Sequence, residues 1–147
     1  MRIEKRQVDG QPLTVIIEYP QWSESVDVLA KKIAGMDLTF TGKTEDSSVN
    51  ISISDVFYIE NVERKLFLYT RDQVYRFDGS MSDIEDVIDD TGLVRISRTC
   101  IMNTDYLSEI RQLKNSRLEA VMANDEKLIV SRQYLPAIKK IFKRKSR

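Results

Sequence analysis

A mainly β chain with a few helices, an α+β arrangement, is predicted by three features of the sequence. Short runs alternating apolar with polar residues recur between residues 49 and 130. The polar turns between them are two to six residues long, which suits antiparallel neighbours. Helical spacing of apolar residues is confined to stretches near residues 23–34, 81–88 and 136–145. We therefore expect a small β-α-β region over residues 1–46 and an antiparallel β domain over residues 47–147.

Residues 13–19, Leu-Thr-Val-Ile-Ile-Glu-Tyr, carry the first strand signal, after the turn Asp9-Gly10 and before Pro20. Ser23 offers an N-cap, Val26, Leu29 and Ile33 recur at helical spacing, and Gly35 suits a helix stop. Residues 38–40 read as a second short strand and 42–48 as a polar linker. An appendage of this size should dock on the main domain or on a second copy, because it can bury too little surface to stand alone.

In the main domain, Val49, Ile51 and Ile53 alternate with Asn50, Ser52 and Ser54, as in a half-buried strand. Strands at 56–59, 66–70 and 73–77 follow, the charged stretch 60–65 joining the first two and Arg71-Asp72 turning between the last two. Ser82-Asp-Ile-Glu85 matches a capping box, and Met81, Ile84, Val87 and Ile88 line one face of a helix stopped by Gly92. Asp83, Glu85, Asp86, Asp89 and Asp90 occupy its outer face. Helical spacing fans these carboxylates apart, so they read as a solvated face turned away from phosphates, with no calcium loop beside them.

The stretch 94–103, Val-Arg-Ile-Ser-Arg-Thr-Cys-Ile-Met-Asn, begins as a strand. Its second half, 99–102, reads as one buried helical turn that holds Arg98 at its rim. Strands at 106–113, 118–122 and 127–130 form a meander with turns at 114–117 and 123–126. Ser131 can cap the turn after the last strand through its hydroxyl, which leaves Arg132 and Gln133 outward. Pro136 suits the first turn of a closing helix that carries Ile138, Ile141 and Phe142.

The chain has 147 residues, 41% hydrophobic and 31% charged, enough for one core and a small appendage. Its apolar runs of four or five residues are far below a membrane span, and no signal peptide precedes them, so a cytoplasmic protein is expected. Cys100, the lone cysteine, cannot close an intramolecular disulfide and reads as a buried packing thiol. The absence of histidine removes the usual general base and the commonest transition-metal ligand. No phosphate-binding glycine loop, nucleophile-base pair or metal cluster appears, so we expect neither an enzyme nor a cofactor.

Formal net charge is zero, from 23 basic and 23 acidic residues, but the charge is divided. Residues 91–147 hold 13 Lys+Arg against 5 Asp+Glu; residues 1–90 hold 10 against 18. Such asymmetry points to nucleic acid as a partner, or to a basic solvated C-terminal helix, which supplies six of the positive charges.

Three stretches in register, Asp55-Val-Phe-Tyr-Ile-Glu60, the 94–103 stretch and Val130-Ser-Arg-Gln-Tyr134, resemble the LytTR DNA-binding domain of bacterial transcription regulators. The resemblance covers roughly residues 48–143. It implies an elongated β fold that sets loop and turn residues into successive major grooves of double-stranded DNA. It also implies a homodimer on direct or inverted repeats spaced by whole helical turns. The N-terminal region is similar to that of standalone members that carry no receiver domain, and it is too short for a doubly wound receiver. Relatives of that kind are often paired with a small regulatory membrane protein, which the resemblance implies here too.

Position by position, the resemblance implies contacts from Arg64 and Lys65, from Arg98, and from Arg132 with Gln133. Arginine and glutamine pair bidentately with guanine and adenine edges, so Arg98, Arg132 and Gln133 are the candidates for base readout. Members of the family often have a second basic residue where Gln133 stands, so a different base is expected there. Arg64, Lys65, Arg95, Lys114 and Arg117 are candidates for phosphate contacts. Arg95 could instead pair with a carboxylate, Lys114 and Arg117 could be plain surface, and Asn103 could bond backbone or touch DNA. An RNA-binding β module or a protein-interaction module would share the basic half. The first would show exposed aromatics, whereas Phe57, Tyr58, Phe67, Tyr69, Tyr75 and Phe77 lie in apolar strands suited to core packing.

Overall fold

The computed structural model describes residues 1–36, 38–89, 91–114 and 117–145, with side chains as far as residue 143. Among the described residues, ten strands form two antiparallel sheets with three α-helices around them. The expected architecture of mostly antiparallel β structure with few helices is what the chain adopts.

Residues 13–19 form no strand, which corrects the expected β-α-β start. Their alternation finds no neighbouring strand, and Leu13, Val15, Ile16, Tyr19 and Trp22 are exposed. Helix α1 (Glu24–Met36) is present and continues through the buried Gly35 that was expected to stop it. Strand β1 (Thr39–Lys43) pairs with β2 (Ser48–Ser52) as a hairpin closed by Thr44 and Ser47. The linker expected at 42–48 is therefore the end of one strand and a tight turn. Gly42 is required inside it, because a Cβ there would meet Ile51 and Tyr75 at under 3 Å.

Strand β3 (Tyr58–Val62) pairs with β4 (Lys65–Tyr69) across a two-residue turn in which Glu63 and Arg64 both have positive φ, 52° and 67°. That geometry matches the twist of the flanking strands. The stretch 60–65 is thus mostly strand, a second correction. At the opposite end, Thr70 and Gln73 close the expected turn to β5 (Val74–Phe77), with Arg71-Asp72 at its tip.

Helix α2 (Met81–Glu85) is shorter than expected, and its capping box lies two residues earlier. The Ser80 hydroxyl accepts from the Asp83 amide, and the Asp83 carboxylate accepts from the Ser80 amide. Met81, Ile84 and Ile88 are buried but Val87 is exposed. Strand β6 (Leu93–Ser97) then turns at Arg98-Thr99 into β7 (Cys100–Asn103). The buried helical turn expected at 99–102 is in fact this strand. Cys100, Ile101 and Met102 are consecutive and all buried because both faces of the sheet are covered there, and alternation is lost in such a strand.

The large sheet runs in the order β2-β1-β5-β4-β3-β7-β6. The smaller sheet, β10-β9-β8, comprises β8 (Leu107–Gln112), β9 (Leu118–Met122) and β10 (Lys127–Val130), close to the expected bounds. One core, including Ile59, Leu68, Ile84 and Ile101, lies on the α2 side of the large sheet. The other joins Tyr58, Ile96 and Met102 to Ala120, Met122, Val130 and to Ile138 of α3 (Leu135–Lys145), so it glues the two sheets together. Each fully buried Ile, Leu or Met contributes about 1.5–3 kcal/mol relative to exposure.

Candidate nucleic-acid interface

Two main-chain hydrogen bonds decide where the expected contact residues lie. Strands β3 and β6 run parallel to each other with antiparallel β7 between them, so the β3–β4 and β6–β7 turns leave the large sheet at the same end. The Asn61 amide donates to the Thr99 carbonyl at 2.8 Å, which ties these two turns side by side. The Ser131 amide donates to the Ile96 carbonyl at 2.8 Å, which brings the end of β10 to the same place. Arg64, Lys65, Arg98, Arg132 and Gln133, all exposed, therefore share one end of the molecule although the first and last are 69 positions apart. Glu63 stands among them in the β3–β4 turn.

The smaller sheet adds to this end. Gln112, Leu118 and Val130 lie in one row, so the β8–β9 connection leaves the sheet where β10 does. Lys114 and Arg117, both exposed, flank that connection, and residues 115 and 116 of the expected turn lie outside the described residues.

The Arg132–Tyr134 segment is one 3₁₀ turn that leads directly into α3. Its start is held by the Ser131 carbonyl, which accepts from the Tyr134 amide at 2.9 Å. The Ser131 hydroxyl makes no capping bond, so the expected side-chain cap is replaced by a main-chain one. Pro136 stands in the first turn of α3, as its missing N–H allows. Ile138 is buried while Lys139, Lys140 and Lys143 are exposed.

Two candidates take the alternative foreseen for each, Asn103 bonding main chain and Arg95 pairing with a carboxylate. Asn103 is 2% exposed. Its Nδ2 donates to the Val56 carbonyl at 2.8 Å and its Oδ1 accepts from the Asp105 amide at 3.0 Å, so it bridges two loops inside the protein. Arg95 is half-buried. Its Nη1 donates to Glu85 Oε1 at 2.6 Å, Nε to the Ser97 carbonyl at 2.9 Å and Nη2 to the Arg98 carbonyl at 2.6 Å. The ion-pair alternative foreseen for Arg95 is the one the geometry realises. Of the carboxylates assigned to a solvated face, Glu85 is thus engaged at the foot of the β6–β7 turn and Asp83 caps α2. Asp86 and Asp89 are exposed, and Asp90 lies outside the described residues.

Toward the other end of the large sheet the packing is aromatic. Tyr58 stacks on Tyr69 at 4.3 Å between centroids, and the Tyr69 hydroxyl donates to Glu60 at 3.4 Å. Burial raises both phenols above their ordinary range, with the Glu60 charge adding to the shift of Tyr69. The Cys100 thiol is buried, and desolvation pushes it up to about 12, so it stays protonated and unreactive. Phe57 stacks on Tyr106 at 3.9 Å, with Arg71 over its ring. Phe57 and Tyr58 are buried and Phe67, Tyr69, Tyr75 and Phe77 are partly so, as core packing requires.

Asn61 carries no sequence signal as a support of the turns, and Glu85 reads from sequence as a capping-box and solvated carboxylate, not as the partner of Arg95. Ten residues separate Glu85 from Arg95, a spacing that carries no signal in a helix-to-strand connection.

A family model for the LytTr DNA-binding domain matches residues 46–143. The chain belongs to the LytTr DNA-binding domain family. The sensory transduction protein LytT of Enterococcus faecalis is 28% identical over 95 residues, covering 65% of this chain and 39% of that protein. LytT of Bacillus anthracis is 25% identical over 131 residues, covering 86% of this chain and 53% of that one. The chain thus spans between about two fifths and one half of the curated relatives it matches. A solved LytTr DNA-binding domain, from a methyl-accepting/DNA response regulator of Bacillus cereus, superposes with a TM-score of 0.66 at 23% identity. It covers 71% of this chain and 95% of that domain, and it shows that the LytTr fold is shared. Among the described residues of this LytTr chain, no helix is long and apolar enough to cross a membrane.

Proposed function

We propose that this LytTr chain is a sequence-specific transcriptional regulator that reads successive major grooves of duplex DNA with the turns gathered at one end of its sheets. The observation that carries the reading is that end itself. Three basic segments far apart in sequence are held together by main-chain bonds, with their side chains outward. Arg98, Arg132 and Gln133 have the chemistry of base readout, each good bidentate pair being worth about 1–3 kcal/mol of discrimination. Arg64, Lys65, Lys114 and Arg117 set affinity through phosphates. Arg95 supports the β6–β7 turn from behind it, and Asn103 holds the loops at the far end of β7.

Two copies bound to direct or inverted repeats a whole helical turn apart, in the cytoplasm, complete the proposal. Residues 1–46 serve dimerisation or a regulatory partner, with a small membrane protein as the partner implied by resemblance, and residues 47–147 serve DNA.

Methylation interference on duplex DNA from upstream of the protein's own gene tests the groove. Methylation of guanine N7 in two successive major grooves should block binding. Interference confined to adenine N3, in the minor groove, would contradict it.

A further inference from the structure

We infer that Glu85 and Arg95 are positioning residues for the readout made by Arg98, so that the acidic helix α2 acts on DNA specificity without touching DNA. The inference rests on the reading of Arg98 just given. The Arg95 guanidinium holds two successive carbonyls of the β6–β7 turn, those of Ser97 and Arg98, and Glu85 holds the guanidinium. Glu85 is itself fixed, because Met81 and Ile84 anchor α2 in the first core. On the other side of the turn, the Thr99 amide donates to the Ser97 hydroxyl at 3.2 Å and the Thr99 carbonyl accepts from Asn61. The Ser97 and Arg98 carbonyls and both main-chain groups of Thr99 are thereby bonded, and the exposed Arg98 side chain starts from a held backbone. A side chain held in its binding conformation loses less entropy on contact. Lysine's compact ammonium lacks the planar, spread fork by which Arg95 reaches the two carbonyls and the carboxylate from separate nitrogens.

The test combines Glu85→Gln, Arg98→Ala and the double variant in binding to native and scrambled duplexes, with ¹⁵N relaxation of the DNA-free protein. Glu85→Gln should lower the preference for the native duplex by about three- to thirtyfold. The double variant should show the preference of Arg98→Ala alone, since there is no readout left to position. The backbone order parameters of Arg98 and Thr99 should fall from about 0.85 toward 0.6 in Glu85→Gln. Arg95→Lys should match Glu85→Gln rather than the wild type. Independent losses in the double variant, an unchanged preference in Glu85→Gln, or unchanged order parameters at residues 98 and 99 would each overturn the inference. Full preference in Arg98→Ala would instead remove the assignment of Arg98, and the relaxation data would still decide whether Glu85 stiffens the turn.

Discussion

The amide of Ser131 donates to the carbonyl of Ile96 at 2.8 Å, and this bond joins the end of the smaller sheet to the outer strand of the larger one. Its removal can be isolated. Ser131 has φ −69°, which proline adopts without strain, and it follows a strand residue whose extended backbone proline tolerates. Ser131→Pro should cost about 1–3 kcal/mol by leaving the Ile96 carbonyl unpaired, and it should weaken specific DNA binding through the displaced 132–134 turn. Ser131→Ala, which deletes a hydroxyl with no capping bond, should stay within about 0.5 kcal/mol. Chemical denaturation of both variants checks the contrast.

Asn103 should behave as a structural residue. Asn103→Ala strands the buried Val56 carbonyl and removes the bond to the Asp105 amide, at a combined cost of about 1–3 kcal/mol. In the fraction that remains folded, the dependence of DNA affinity on salt should be unchanged. A stable Asn103→Ala protein with a shallower salt dependence would show that the side chain reaches phosphate after all.

Cys100 makes stability depend on alkaline pH. Its thiol is neutral in the folded state up to about 12 but ionises near the ordinary cysteine range in the unfolded chain. The unfolded state therefore sheds a proton first, and stability falls as pH rises from about 9 toward 12, by up to about 1.4 kcal/mol per unit. Below that window the contribution is fully present. Cys100→Ala should lose part of this slope, the remainder coming from the raised phenols of Tyr58, Tyr69 and Tyr106. Urea midpoints measured at pH 7, 9 and 10.5 read the difference directly.

The phosphate and base roles predict different signatures. Lys65→Ala or Arg117→Ala should weaken native and scrambled duplexes alike, and each should shallow the logarithmic salt slope by about 0.9 if it removes one phosphate contact. Arg132→Ala should instead narrow the gap between the two duplexes. Titrations between about 50 and 200 mM salt separate the two cases.

Alternation and turn chemistry made β9 and β10 legible to the residue, because Leu118–Met122 and Lys127–Val130 are flanked by polar turns and paired with near neighbours. Periodicity failed where its premise failed. Residues 13–19 alternate but have no strand beside them, and Cys100, Ile101 and Met102 do not alternate because β7 is covered on both faces. Glu63 and Arg64 gave no turn signal, since positive φ there is imposed by the hairpin and not by glycine. The candidate DNA-contact residues were legible as basic tips and through family resemblance. Their gathering at one end depends on bonds between Asn61 and Thr99 and between Ser131 and Ile96, which are main-chain contacts and leave no trace in residue type.

The most direct test of DNA recognition by this end is fluorescence anisotropy with duplex DNA from upstream of the gene and a scrambled duplex, for wild type, Arg98→Ala and Arg132→Ala across a salt series. Sequence-specific recognition predicts tight binding to the native duplex that falls steeply with salt, and a loss of preference in both variants while weak binding to either duplex persists. Wild-type binding that is absent from both duplexes at low salt, or a preference that both variants retain in full, would contradict it.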